Sequence, residues 1–151
     1  MTVRVTPGGT RGTRMPGGPL VAVVMSGIGG VYRLLGGRGM GKTGILTTFG
    51  AKTGKRRDAQ IAVFKEKGGW LVIGSYGGSA THPAWVVNMA HNPDRVWLQV
   101  GGRRLHVSPR SLEGAERGSA WKRIVSEAPN FGDYEKKTDR EIPVIELTSV
   151  E

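Results

Sequence analysis

The chain has 151 residues, enough for one domain with its own core. It carries 22 Lys+Arg against 12 Asp+Glu, a net charge of +10, which favours an anionic partner. It has no cysteine, which excludes a disulfide framework, a thiolate nucleophile and a Cys-based metal site. No stretch reaches the ~20 continuous apolar residues of a membrane-spanning helix, and no secretory signal pattern is visible, so a cytoplasmic protein is expected.

Residues 1–18, "MTVRVTPGGTRGTRMPGG", are poor in apolar side chains and predict a disordered basic tail ahead of a single domain over 19–151. Residues 19–35 read as a helix opened by Pro19 and closed before Gly36-Gly37. "GILTTFG" (44–50) and "AQIAVFKEK" (59–67) read as strands, and Lys67-Gly68-Gly69 turns the chain into a third, "WLVIGS" (70–75). These strands are apolar on both faces, as barrel walls packed against a helix or another subunit would be. "PAWVVNMAH" (83–91) predicts a helix with Pro83 in its first turn. "RVWLQV" (95–100) and "RLHVS" (104–108) form a hairpin about Gly101-Gly102, with Val96, Leu98, Val100, Leu105 and Val107 pointing inward. Residues 111–127 predict a helix capped by Ser111, followed by a polar loop holding Phe131 and Tyr134 and a last strand over 142–150. The fold class is mainly β with helices (α+β), an antiparallel barrel rather than an alternating βαβ sheet.

"GGRGMGKT" (36–43) matches the phosphate-cradling loop pattern G-x-x-x-x-G-K-[ST]. That loop works between a buried strand and a helix, whereas here a helix precedes and a strand follows, so the match reads as coincidence. A better anion site is "TTFGAKTGKRR" (47–57), where Lys52, Lys55, Arg56 and Arg57 crowd one glycine-bounded turn and Thr53 adds a hydroxyl. A plain solvated hairpin is the competing reading of that turn. "GSYGGSATHPAWVVN" (74–88) leads from a strand across glycines to a helix start, where a flat ligand could approach backbone and free amides; an ordinary loop is the competing reading. His82, His91 and His106 lack metal-ligand spacing, and no metal site is expected. With no evident nucleophile, an enzyme here would need a cofactor to carry its chemistry.

Three blocks, "ILTTFGAKTGKRR", "GSYGGSATHPAWVVNMAHNPDRVWLQVGGRR" and "DYEKKTDREIPVIEL", resemble the deazaflavin-dependent nitroreductase family of split β-barrels, in the expected order from about Gly44 to Leu147. The resemblance implies that Gly50, Lys52, Thr53, Gly54 and Arg57, with Lys55 and Arg56 of the same turn, hold the phosphate and glutamyl tail of coenzyme F420. It implies that Ser75, Tyr76, Gly77 and Gly78 lie beside the deazaflavin ring. Pro83, Ala84, Trp85 and Asn88 would flank the phosphate and ribityl region. Ser75, Phe131 and Tyr134 would face the substrate. Tyr76 and Ala128 depart from the family pattern, which bears on acceptor choice more than on cofactor binding. The implied activity is hydride transfer from reduced F420 to a small planar quinone, nitroaromatic or enone acceptor. An FMN-using or non-catalytic split barrel is the alternative. A basic nucleic-acid-binding barrel is disfavoured, because the aromatic residues form no stacking platform. The sequence leaves open a homodimer and a peripheral membrane contact through the N-terminal helix.

Overall fold

The computed structural model describes residues 3–12, 42–66, 68–74 and 82–150. Six antiparallel strands close a barrel: β1 (Lys42–Phe49), β2 (Arg56–Glu66), β3 (Gly69–Ile73), β4 (Trp97–Val100), β5 (Arg103–Ser111) and β6 (Val144–Ser149). Their order around the barrel is β1-β2-β3-β6-β5-β4. Among the described residues there are three helices: α1 (Ala84–His91), α2 (Gly114–Glu127) and α3 (Asn130–Lys137). None of them is long and apolar enough to cross a membrane.

Side chains on a strand alternate between its faces, and this alternation sorts the apolar residues into two cores. The inner core takes Leu46, Val63, Val72, Leu98, Val107, Ile145 and Leu147, at least one residue from every strand, with Val86 and Met89 of α1 packed among them. The outer core packs Phe64, Leu71, Ile73 and Val144 against Trp121 and Ile124 of α2 and Phe131 of α3. Within β3, Val72 therefore serves one core and its neighbours Leu71 and Ile73 the other. The two-sided apolar character expected of this strand follows from that arrangement.

β2 outruns its neighbour. It pairs with β1 along Arg56–Val63, from Phe49↔Arg56 to Lys42↔Val63, but with β3 only across Phe64–Glu66. Among the described residues the barrel is thus split beside Arg56–Val63 of β2.

The structure departs from the sequence reading in four places. β2 begins at Arg56 rather than Ala59, because its register with β1 continues to Phe49. The helix expected over 111–127 begins at Gly114. Ser111 is instead the last residue of β5, and its hydroxyl accepts the Arg4 amide (2.9 Å). Phe131 and Tyr134 lie on α3, not on a loop, one turn apart and in edge-to-face contact (5.7 Å). Residues 3–12, placed in a basic tail by composition, lie against the barrel, with Val3 buried in the inner core. The Thr10 and Arg11 amides donate to Asp139 Oδ1 (2.8 and 3.0 Å), and the Thr10 hydroxyl to Oδ2 (2.5 Å). The Thr10 hydroxyl, with the two amides, holds the Asp139 carboxyl down at about 2. The expected helix over 19–35 lies outside the described residues.

His82 joins this N-terminal segment to the barrel. Its Nδ1 lies 2.7 Å from Arg140 Nη1, which can only donate, so Nδ1 accepts. Nε2 then carries the proton and donates to the Thr6 carbonyl (2.6 Å). Burial holds the His82 pKa below its ordinary value; the Arg140 charge adds to this and the Thr6 carbonyl opposes it. The unfolded imidazole thus binds a proton more tightly than the folded one. The stability it contributes is complete above about pH 6.5 and is lost as pH falls from there through the depressed folded value. Tm measured across that window should fall more steeply for the wild-type chain than for His82→Asn; parallel curves would show that His82 does not carry the effect.

Candidate functional site

The β1–β2 connection is a tight turn. The Gly50 amide donates to the Lys55 carbonyl (2.8 Å) and the Gly54 amide to the Gly50 carbonyl (2.8 Å). Gly54 sits at φ +68, a conformation that disfavours any side chain. Lys52 and Thr53 project from its tip, and the Thr53 hydroxyl accepts the Lys55 amide (3.3 Å).

Because Arg56 and Arg57 are strand residues, they face opposite sides of β2. Arg56 forms a two-pronged pair with Asp58 (3.1 and 3.2 Å). That arginine, with the Thr47 hydroxyl (2.7 Å), keeps the Asp58 carboxyl below the usual carboxylate range. Lys52, Lys55 and Arg57 make no ion pair among the described residues. The turn therefore presents uncompensated positive charge.

Helix α1 faces the turn. Asn88, buried on α1, accepts the Ala51 amide at Oδ1 (3.1 Å) and donates to the Thr48 hydroxyl (3.2 Å). One turn on, Asn92 donates to the Phe49 carbonyl (3.1 Å). Pro83 ends the lead-in to α1 at φ −62 and ψ 148, with no side-chain cap and no acidic residue in the first turn. The amides of Ala84 and Trp85 precede the intrahelical ladder, and among the described residues no side chain caps this positive end of the helix.

Between turn and helix lies a cleft of about 880 Å³, at the edge of β2 that no strand covers among the described residues. Gly50, Lys52, Thr53 and Arg57 line one side, and Pro83, Ala84, Trp85, Val87 and Asn88 the other. The structure thus brings two separately predicted segments into one site. Gly54 and Lys55 shape the turn without lining the cleft, and Arg56 is turned to Asp58. Ser75, Tyr76, Gly77 and Gly78 lie outside the described residues. Phe131 is buried in the outer core, edge-on to Phe64 (5.8 Å), with half-buried Tyr134 against it; neither lines the cleft. Asp58, Ala59 and Gln60 line the cleft but were not anticipated. In the sequence they read as ordinary strand residues, and they reach the cleft because, among the described residues, no strand covers that edge of β2.

Of the remaining motifs, Lys42 and Thr43 open β1, so the phosphate-loop pattern is followed by a strand rather than a helix. His106 stacks on Trp97 (4.8 Å between ring centroids) and reaches the Asp94 carbonyl (2.7 Å). Among the described residues no three His, Asp or Glu side chains converge as a metal site.

The family model described as F420H(2)-dependent quinone reductase matches residues 21–149. A Mycobacterium tuberculosis protein named F420H(2)-dependent quinone reductase is 33% identical over 108 residues, spanning 69% of this chain and 71% of the relative. A solved structure described as an F420-H2 dependent reductase (FDR-A) superimposes with a TM-score of 0.63 at 38% identity, covering 70% of this chain and 93% of the other. Another, described as a domain-swapped dimer, gives 0.64 at 32% identity and covers 83% and 98%.

Asn88 is the link between the two walls. Asn88→Ala should destabilise the protein by about 1–3 kcal/mol in chemical denaturation, since it leaves the Ala51 amide and Thr48 hydroxyl without their partner. Amide exchange at Ala51 should accelerate. Unchanged stability together with unchanged exchange would mean that the turn holds its place without the helix.

Proposed function

The chain belongs to the F420H(2)-dependent quinone reductase family, and from that premise we propose that it catalyses hydride transfer from reduced F420 to a quinone. The observation that carries the reading is the pairing of Lys52 and Arg57 with the uncapped start of α1 across one cleft. The donor set fits a ligand bearing phosphate and carboxylates. Asp58, the carboxylate in the lining, is already engaged by Arg56 and Thr47 and repels such a ligand less than a free one would.

When bound, F420H2 supplies the hydride. The chain supplies binding, orientation and a dry surface. Lys52 and Arg57 hold the anionic tail, and the Ala84 and Trp85 amides add donors aimed along the helix axis. Trp85 and Val87 give the cleft an apolar wall that excludes water, while Asn88 fixes the distance between basic turn and helix. We assign Ser75, Tyr76, Gly77 and Gly78 to the ring side and Tyr134 with Phe131 to the acceptor side, as the family resemblance implies. Nitroaromatics and enones belong with quinones as acceptors to test, and FMN serves as the competing cofactor. The domain-swapped relative supports a homodimer, which the mass in solution decides. The direct experiment is F420H2 oxidation monitored with a quinone; no turnover with any acceptor, or tighter binding of FMN than of F420, would overturn the reading.

Arg57→Ala should weaken F420 binding about tenfold to a hundredfold, the effect of losing one charge-assisted hydrogen bond of about 1.5–3 kcal/mol. The loss should shrink at high salt, where exposed charges are screened. A cofactor fragment lacking phosphate and glutamates should bind wild type and variant equally; an equal loss for the fragment would place Arg57 away from the tail.

Tyr134→Ala should change kcat/KM for the acceptor while leaving F420 affinity within about twofold, because the residue lies away from the basic turn. Identical kinetics with every acceptor would assign Tyr134 to packing on Phe131 alone.

A further inference from the structure

We propose that Arg140 is a positioning residue for this cleft, acting through His82 on the first turn of α1; the proposal rests on the F420 reading above. Arg140 lies in the segment leading into β6 and is 4% exposed, a costly place for a guanidinium unless its donors are engaged. A single nitrogen, Nη1, donates both to the Gly74 carbonyl (2.9 Å) and to His82 Nδ1 (2.7 Å). The backbone amide of Arg140 is itself tied to the Thr138 hydroxyl (3.1 Å).

Both acceptors are set in the fold. Gly74 follows β3, and its amide donates to the Pro143 carbonyl (2.9 Å). Its α-carbon lies so close to Val86 of α1 that an added Cβ would come within 2.9 Å of Val86 Cγ2. His82 stands two residues before α1 and is separated from it only by Pro83, whose ring locks φ. From the imidazole to the first-turn amides of Ala84 and Trp85 the path is therefore short and stiff. The guanidinium pins the end of β3 and the beginning of α1 to one atom.

Asn88 holds α1 on the basic turn from its second helical turn, whereas the Arg140–His82 bond holds its beginning. Losing the latter would let the amides swing relative to Lys52 and Arg57, so fewer donors would converge on one anion. Charge and lining residues would be unchanged. The expected signature is weaker cofactor binding without a loss of maximal turnover.

Removing Arg140 outright risks unfolding, so the test uses its acceptor. His82→Asn keeps an acceptor near Nδ1 and gives up the donor to Thr6. His82→Gln keeps a donor near Nε2 and gives up the acceptor to Arg140. His82→Gln should raise the F420 Kd and the cofactor KM about fivefold, the effect of one ordinary hydrogen bond, with kcat for quinone unchanged at saturation. His82→Asn should recover most of that affinity. In the cofactor-free protein, amide exchange at Val86, whose amide bonds to the Pro83 carbonyl (3.1 Å), should accelerate in the Gln variant and not in the Asn variant. Equal exchange and equal Kd in the two variants would overturn the proposal, as would a larger defect in Asn than in Gln. If wild type fails to bind F420, the cofactor reading falls, and the exchange comparison still decides whether Arg140 positions α1.

Discussion

The shared wall formed by β3 and β6 is the constraint on which the rest of the molecule depends. Both strands are apolar on two faces, so each contributes to the barrel interior and to the layer under α2 and α3. A one-residue slip in their pairing, Val72↔Ile145 and its neighbours, would exchange the two sets of side chains and spoil both cores at once. The register is thereby fixed, and with it the positions of Gly74 and Pro143, between which β3 hands the chain on toward α1.

From that wall the polar site is assembled by a few directional bonds. Asn88 holds the basic turn to the helix, and Arg140 ties His82 to the end of β3. Arg56 is drawn to Asp58, while Arg57, one residue further along the strand, remains without a carboxylate partner among the described residues. Alternation along a strand has in effect divided a run of like charges into a half engaged by Asp58 and a half that lines the cleft. The overall charge of +10 says much less about the site than this division does.

Sequence patterns revealed what is local. Alternation marked β4 and β5, a run apolar on both faces marked β3, and the glycine-bounded basic turn and the proline before α1 announced the two sides of the cleft. The misplaced start of β2 has a clear cause: Arg56, Arg57 and Asp58 look like turn residues, yet their partners Phe49, Thr48 and Thr47 are β-forming and carry them into the ladder. Helix α3 has only eight residues and two large apolar ones, Phe131 and Tyr134, too few for periodicity to show. The N-terminal segment was illegible for another reason. Thr10 and Asp139 are far apart in the chain, and Val3 reaches a core built by strands it does not adjoin in sequence. Composition sees polarity there and cannot see the partner. The same holds for Asp58 and Gln60, whose place in the cleft depends on where β3 stops.

The shortness of the β2–β3 ladder has a second consequence. Before Phe64, one edge of β2 runs without a strand beside it among the described residues, leaving main-chain donors and acceptors of the kind that recruit foreign strands and seed aggregates. Arg56, Arg57 and Asp58 stand along that stretch, and a second chain aligning there would have to bring its backbone past fixed charge. The charges along this strand thus also guard the open seam of the barrel. A neutral version of this strand would become adhesive.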